Sequence, residues 1–271
     1  MPAPDQVLFA VHSPRAELQT RVAELAAHLN APHLSQDTDP KQCSAAKYLL
    51  VVDADGIGIK QTGPHTTGIV TVDFIAGAAN HRRLYGGGKS QLIAKAVGLN
   101  KGIHPTILDA TTGLGADAFV LASLGCSITM LERSPLIALL LEDGLVRALQ
   151  MAELKPILQR MQLICADSVE YMANIAEENR PDIVYLDPMF PERSKTAKVK
   201  KEMTFFHDLV GFAQDENELL NIALRTATKR VVVKRPKSAS PLAGSLAERA
   251  PNFEFAGKSS RYDIYTLSRL A

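Results

Sequence analysis

The chain has no tryptophan, only three cysteines in 271 residues and no surplus of either charge, with 30 Lys and Arg against 29 Asp and Glu. A net charge of +1 excludes a whole-molecule basic field, so any contact with nucleic acid must rest on local patches. The missing tryptophan, beside six Tyr and nine Phe, argues against extended platforms for stacking single-stranded bases. Cys43, Cys126 and Cys165 are widely spaced, form no CxxC pair and have no His cluster beside them. That argues against a disulfide framework or a structural zinc and suits a reducing cytoplasm. No apolar run approaches the roughly 18 to 20 residues that span a bilayer, and the first residues lack a charged-then-apolar leader pattern. The expectation is a soluble, cytoplasmic protein with neither a membrane partner nor a metal, since no His pair has metal-ligand spacing either. A Gly-x-Ser-x-Gly elbow and a glycine-flanked Cys–His arrangement are both missing, so covalent nucleophilic catalysis has no candidate. Gly86-Gly-Gly-Lys-Ser90 fails as a P-loop because Arg83 stands where the motif needs its first glycine; a hinge is the better reading.

What is present points to an α/β protein. There is no internal repeat, and the length allows one large domain preceded by a small one. Residues 1–74 read as a small α/β unit, with an apolar run Val7 to Val11, an amphipathic stretch Pro14 to Leu29, and β-rich runs at Tyr48 to Val52, Ile57 to Ile59 and Ile69 to Val72. Residues 75–271 form the second domain, with a helical pattern from Phe74 to Val97 leading into it. Short apolar runs then alternate with helical stretches: Thr106 to Leu108, Ser127 to Leu131, Gln162 to Cys165, Ile183 to Leu186 and Arg230 to Val233. Such alternation marks βαβ units and a mostly parallel sheet. Asn252 to Ala256 and Tyr262 to Leu267 close it as an antiparallel hairpin, an ending common in Rossmann-like methyltransferases and unusual in nucleotide dehydrogenases.

The first of these runs ends in Asp109-Ala-Thr-Thr-Gly113-Leu-Gly115-Ala116-Asp117. Gly113 and Gly115 let the chain turn tightly and bring bare backbone against a ligand, with the N-terminus of the next helix aimed at the same crevice. The second run ends in Glu132-Arg133, a carboxylate placed to accept from both hydroxyls of an adenosine ribose. Turn and acid together predict an adenosine-bearing cofactor, either a nicotinamide dinucleotide or S-adenosylmethionine. The fourth run delivers Asp187-Pro188-Met189-Phe190-Pro191. The Asp187 carboxylate and Pro188 carbonyl can accept the two hydrogens of an exocyclic amine while the Phe190 ring stacks on its base, so these three are the candidate catalytic residues.

On these motifs, with Met130-Leu-Glu-Arg-Ser-Pro135, Val199-Lys-Lys-Glu-Met203 and Ala227 to Pro236, the chain resembles the ribosomal RNA small subunit methyltransferase J family from about Val72 to Tyr265. The resemblance implies a Rossmann-like class I fold, S-adenosylmethionine as cofactor, and methylation of the 2-amino group of a guanosine in 16S rRNA. The expected partner is 16S rRNA or the small ribosomal subunit. It places cofactor contacts on Ala116 and Asp117, Glu132 and Arg133, Asp167 and Ser168, and Asp187, beside the glycines already named. Ala116 stands where family members can carry a larger basic side chain, so only its backbone contact carries over, and Met189 replaces the second proline of the broader amino-methyltransferase pattern.

Two basic clusters are expected to line the entrance for the base and grip RNA phosphates: Arg193, Lys195, Lys198, Lys200 and Lys201, and Lys229, Arg230, Lys234, Arg235 and Lys237. His81 reads as a surface residue; Tyr171, Tyr185, Phe205 and Phe206 read as core. Other assignments are an enzyme methylating another exocyclic amine of RNA or DNA, a nicotinamide-dependent dehydrogenase, and a non-catalytic RNA-binding protein. The dehydrogenase leaves Asp187 to Phe190 unexplained, and the binding protein leaves the cofactor motifs unexplained.

Overall fold

The structure is a computed structural model that describes residues 7–64, 68–99, 102–188, 208, 216–242 and 250–268. The chain divides into two units, Met1–Val72 with Pro191–Phe212, and Asp73–Phe190 with Ala213–Ala271. In the first, strands β1 (Val7–His12), β2 (Ala46–Asp53) and β3 (Gly56–Gln61) form a sheet in that order, parallel and then antiparallel. The central β2 is apolar and buried along nearly its whole length, and Val22 and Ala26 of helix α1 (Gln19–His28) are buried one turn apart. The helix opens later than Pro14 suggests. The Ser13 hydroxyl accepts from the Arg15 N–H at 3.1 Å and Arg15 stays extended (φ −100°, ψ 124°), so a 3-10 turn over Ala16–Leu18 precedes it. Nor does Ile69 to Val72 form a strand: one bridge between Val70 and Ile59, with bonds of 2.9 and 2.8 Å, satisfies Val70 before the chain turns away. Asp208, far along the sequence, belongs to this unit through Lys47 Nζ at 2.7 Å and the Tyr48 hydroxyl.

The second unit holds the strands β4 (Thr106–Asp109), β5 (Ser127–Glu132), β6 (Met161–Cys165), β7 (Ile183–Leu186), β8 (Arg230–Pro236), β9 (Phe253–Ala256) and β10 (Ser260–Thr266). Their order is β6-β5-β4-β7-β8-β10-β9, parallel through β8 and closed by the antiparallel hairpin β9–β10. The helices are α2 (Ala78–Tyr85), α3 (Leu92–Ala96), α4 (Ala116–Ser123), α5 (Pro135–Ala148), α6 (Lys155–Leu158), α7 (Ser168–Ala173) and α8 (Glu216–Thr226). This is the expected Rossmann-like class I sheet. Helix α2 begins at Ala78, not at Phe74, because Asp73 Oδ1 accepts from the Ile75 and Ala76 N–H groups at 2.8 and 2.9 Å in an Asx turn.

The strand registers sort side chains onto two faces. Leu108, Val184, Leu186, Val231 and Val233 share one core cluster with Met172 of α7 and with Leu219, Leu220, Ile222 and Ala223 of α8. The opposite face carries Asp109 beside Tyr185 and Tyr185 beside Val232, then Lys234 beside Tyr262. From β4 the chain runs outward through β5 to β6, then returns to β7 on the other side of β4. The carboxyl ends of β4 and β7 therefore flank a topological switch point, where open α/β sheets bind ligands.

Candidate active site

The glycine turn after β4 is held by the tip of β5. Gly113, at φ 55°, donates its N–H to Glu132 Oε2 at 3.1 Å, and Ser134 donates to Oε1 at 2.8 Å. Gly115, at φ 73°, caps α4, and a β-carbon there would lie 2.8 Å from Leu141 Cδ1, so conformation and space both require glycine. Burial raises the Glu132 carboxyl pKa, with the Ser134 and Gly113 N–H groups opposing the shift. The Arg133 N–H is a further backbone donor to this group, and a carboxylate, with about four lone-pair sites, keeps acceptor capacity for a ligand hydroxyl.

The next acid, Asp117, sits in the first turn of α4 and accepts from three donors on different elements: the Arg82 guanidinium of α2, the Tyr185 hydroxyl of β7 at 2.6 Å and Lys234 Nζ of β8 at 2.9 Å. Burial alone would raise its carboxyl, but Lys234 and Arg82, aided by Tyr185, outweigh it and hold the group at about 2. Lys234 also reaches Asp187 Oδ2, at 2.7 Å, so a single ammonium bridges the start of α4 and the end of β7. Its own pKa is driven down by burial and up, more strongly, by Asp117 and Asp187.

Asp187 is fixed from a second direction, because its N–H donates to Thr111 Oγ1 at 2.6 Å. Its side chain is 37% exposed, and Lys234 engages Oδ2 among the described residues. Burial raises its pKa, Lys234 counters, and Asp117 adds to the rise. Asp109, 2% exposed at the tip of β4, goes further: burial, with Asp117 and Asp187 nearby, pushes it up to about 8 against the Thr111 N–H. Burial thus favours its protonated form, beside the ion-paired Asp117–Lys234–Asp187 row. Tyr185 is likewise held protonated, by burial first and then by Asp117.

The remaining predicted positions ring the same edge. Asp167 caps α7, with Oδ1 accepting from the Val169 and Glu170 N–H groups at 2.9 and 3.1 Å. Ser168 Oγ donates to the Ala110 carbonyl at 2.6 Å and so ties α7 to β4. Ala116 and Arg133 are exposed, Pro188 is buried, and Phe190 lies outside the described residues. So do Arg193, Lys195, Lys198, Lys200, Lys201, Phe205 and Phe206.

The second basic cluster does not form the solvent-facing rim that its charge suggested. Lys234 turns into the acid row; Arg235 is 7% exposed and bonds Glu216 at 3.2 Å and the Ser240 carbonyl at 2.7 Å; Arg230 donates to the Ala96 carbonyl at 2.6 Å. Buried cations need these partners, which leaves Lys229 half-buried and Lys237 exposed. Sequence reasoning thus missed Arg82, Asp109, Thr111, Lys234 and the hydroxyl of Tyr185. A Lys two residues beyond Val232, in line with Tyr185 on the same face of a buried strand, was the available signal for the ammonium. Among the described residues no helix is long and apolar enough to cross a membrane, and no group of three or more His, Cys, Asp or Glu could hold a metal ion.

Comparison with known proteins meets this geometry. Residues 33–267 match a family described as "Putative SAM-dependent methyltransferase". The chain is 50% identical over 236 residues to the ribosomal RNA small subunit methyltransferase J of Cellvibrio japonicus (strain Ueda107), covering 85% of this chain and 87% of that protein. It is 53% identical over 226 residues to the protein of that name from Pseudomonas fluorescens (strain Pf0-1), covering 83% and 85%. The crystal structure of the SAM-dependent methyltransferase NGO1261 from Neisseria gonorrhoeae aligns with a TM-score of 0.70 at 40% identity, over 95% of each chain.

Proposed function

Since the chain belongs to the ribosomal RNA small subunit methyltransferase J family of S-adenosylmethionine-dependent methyltransferases, we propose that it methylates the exocyclic 2-amino group of a guanosine in 16S rRNA, in the cytoplasm, as a step in ribosome biogenesis. The observation that carries the reading is Asp187 at the switch point, partly exposed, anchored by Thr111 and clasped on one oxygen by Lys234.

S-adenosylmethionine supplies an electrophilic methyl group on a sulfonium. The donor set of the crevice fits it. Glu132 has acceptor capacity for ribose hydroxyls, Gly113 and Gly115 place bare backbone beside it, and Arg133, Asp167 and Ser168 complete the edge. Ala116 and Asp117 contribute through the first turn of α4, the Asp117 carboxylate being committed to its three donors. Asp187 and the Pro188 carbonyl accept the two amine hydrogens, which aims the nitrogen lone pair, and Phe190 stacks on the base. As positive charge develops on nitrogen, the Asp187 carboxylate stabilises it, and Lys234 keeps that carboxylate ionised and oriented. No strong base is required, because the surplus proton leaves after transfer through a carboxylate that reaches solvent.

The test is nucleoside mass spectrometry on small-subunit rRNA from a strain lacking the gene, treated with purified protein and S-adenosylmethionine. N2-methylguanosine at one position is expected. A methyl group on an adenine or cytosine amine, or on DNA alone, overturns the assignment.

A further inference from the structure

The C-terminal turn of α2 carries the least covered aromatic side chain among the described residues. Tyr85 is 73% exposed and Leu84 beside it 54%. The His81 ring stands one helical turn back, 4.8 Å from the Tyr85 ring and tilted by 43°. The helix that carries them is firmly held. Arg82 bonds Asp117 and, through Nε, Gln91 at 2.9 Å, while Asn80 accepts from Arg83 at 2.6 Å and donates to the Ile75 carbonyl at 2.5 Å. Beyond Tyr85 the chain turns through Gly86, Gly87 and Gly88, with φ of 89° and 55° at the last two, so no side chain of the turn crowds the ring.

Charge says what such a surface meets. Between Asp73 and Asp109 the sequence has no acidic residue at all, yet it carries Arg82, Arg83, Lys89, Lys95 and Lys101. In a chain whose total charge is +1, this segment is cationic throughout. An aromatic ring presented by a firmly held helix, in a segment that carries cations and no acid of its own, suits a polyanion with π faces better than an apolar protein surface. We infer that the His81–Tyr85 face is a stacking platform for an unpaired nucleotide of the RNA flanking the target, with neighbouring phosphates drawn by the cations around it. Since Arg82 on the same helix joins the Asp117–Lys234–Asp187 row, a base stacked there is indexed to the site. The inference rests on RNA being the substrate.

Tyr85→Ala and Tyr85→Phe, compared with wild type, test it by the KM for small-subunit rRNA from the deletion strain, binding of that RNA, and calorimetry with S-adenosylhomocysteine. Loss of a stacked base should raise the RNA KM and Kd about tenfold in the Ala variant, leave them near wild type in the Phe variant, and leave cofactor affinity unchanged. Equal RNA affinity in all three proteins overturns the platform, as does an equal loss in both variants, which would assign the effect to the hydroxyl. A change in oligomeric mass in place of RNA affinity would give the face to a second copy of the chain. Failure of the substrate assignment is read separately, on wild type alone, as absence of methyl incorporation.

Discussion

On one face of β4, β7 and β8, Leu108, Val184, Leu186, Val231 and Val233 lie in a core with α7 and α8. On the other, one residue along the same strands, lie Asp109, Tyr185 and Lys234; Tyr185 and Lys234 bond Asp117, which also pairs with Arg82, and Lys234 reaches Asp187 just past β7. The first face is stabilised by apolar burial, which has no direction and tolerates changes of shape at a graded cost. The second depends on completeness: each charge is tolerable inside only while its partners are present. Stability and chemistry are thereby assigned to opposite sides of one sheet, and substitutions on the two sides should fail differently.

The sharpest break is Lys234→Met, which leaves Asp117 and Asp187 without the ammonium between them. Removing one member of a buried ionic group costs about 3 to 5 kcal/mol, read by denaturant unfolding. Lys234 opposes the burial-driven rise of the Asp187 pKa, so its loss lifts that pKa further and moves the acid limb of the activity profile to higher pH. The facing groups that set this limb are Asp117, Asp109, Arg82, Tyr185 and Tyr262. An unmoved acid limb in the variant would separate Lys234 from the chemistry.

Leu220→Ala on the apolar face, where Leu220 is fully buried, should cost about 2 to 5 kcal/mol of stability through the cavity it leaves. The pH profile and both KM values should stay where they are. A shifted profile would show the faces to be coupled.

Asp109→Asn is read in the pH dependence of stability and not in its value at a single pH. Its native pKa of about 8 lies above the roughly 3.9 of an unfolded aspartate, so between those values the folded state binds the extra proton. Stability from this group is complete below about pH 4, falls by about 1.4 kcal/mol per pH unit as pH rises, and is gone above the folded value. Unfolding of wild type and variant across pH 5 to 8 should differ by that slope; parallel curves would mean that Asp109 is ionised in the fold.

The apolar face was legible in the sequence and the polar one only at its ends. Runs such as Ile183 to Leu186 announce buried parallel strands by composition alone, and the closing hairpin follows from two short β-rich runs across a tight connection. The places of Gly113 and Gly115 in a tight turn, and of Glu132 and Asp187 at strand ends, were also readable, because glycine turns and strand ends are marked locally, without knowledge of distant partners. Lys234 was not: its charge places it with surface cations, and only the register of β8 against β7 turns it inward to acids 117 and 47 residues away. Arg82 and Asp208 were hidden for the same reason, since their partners come from remote parts of the chain.

The claim that the polar row performs the methyl transfer is tested most directly by the single-turnover rate of Asp187→Asn at saturating S-adenosylmethionine and RNA. The amide keeps the shape and loses the charge-assisted acceptor, so cofactor Kd should stay within about twofold while the rate falls on the order of 100-fold or more. A rate near that of wild type would contradict the assignment.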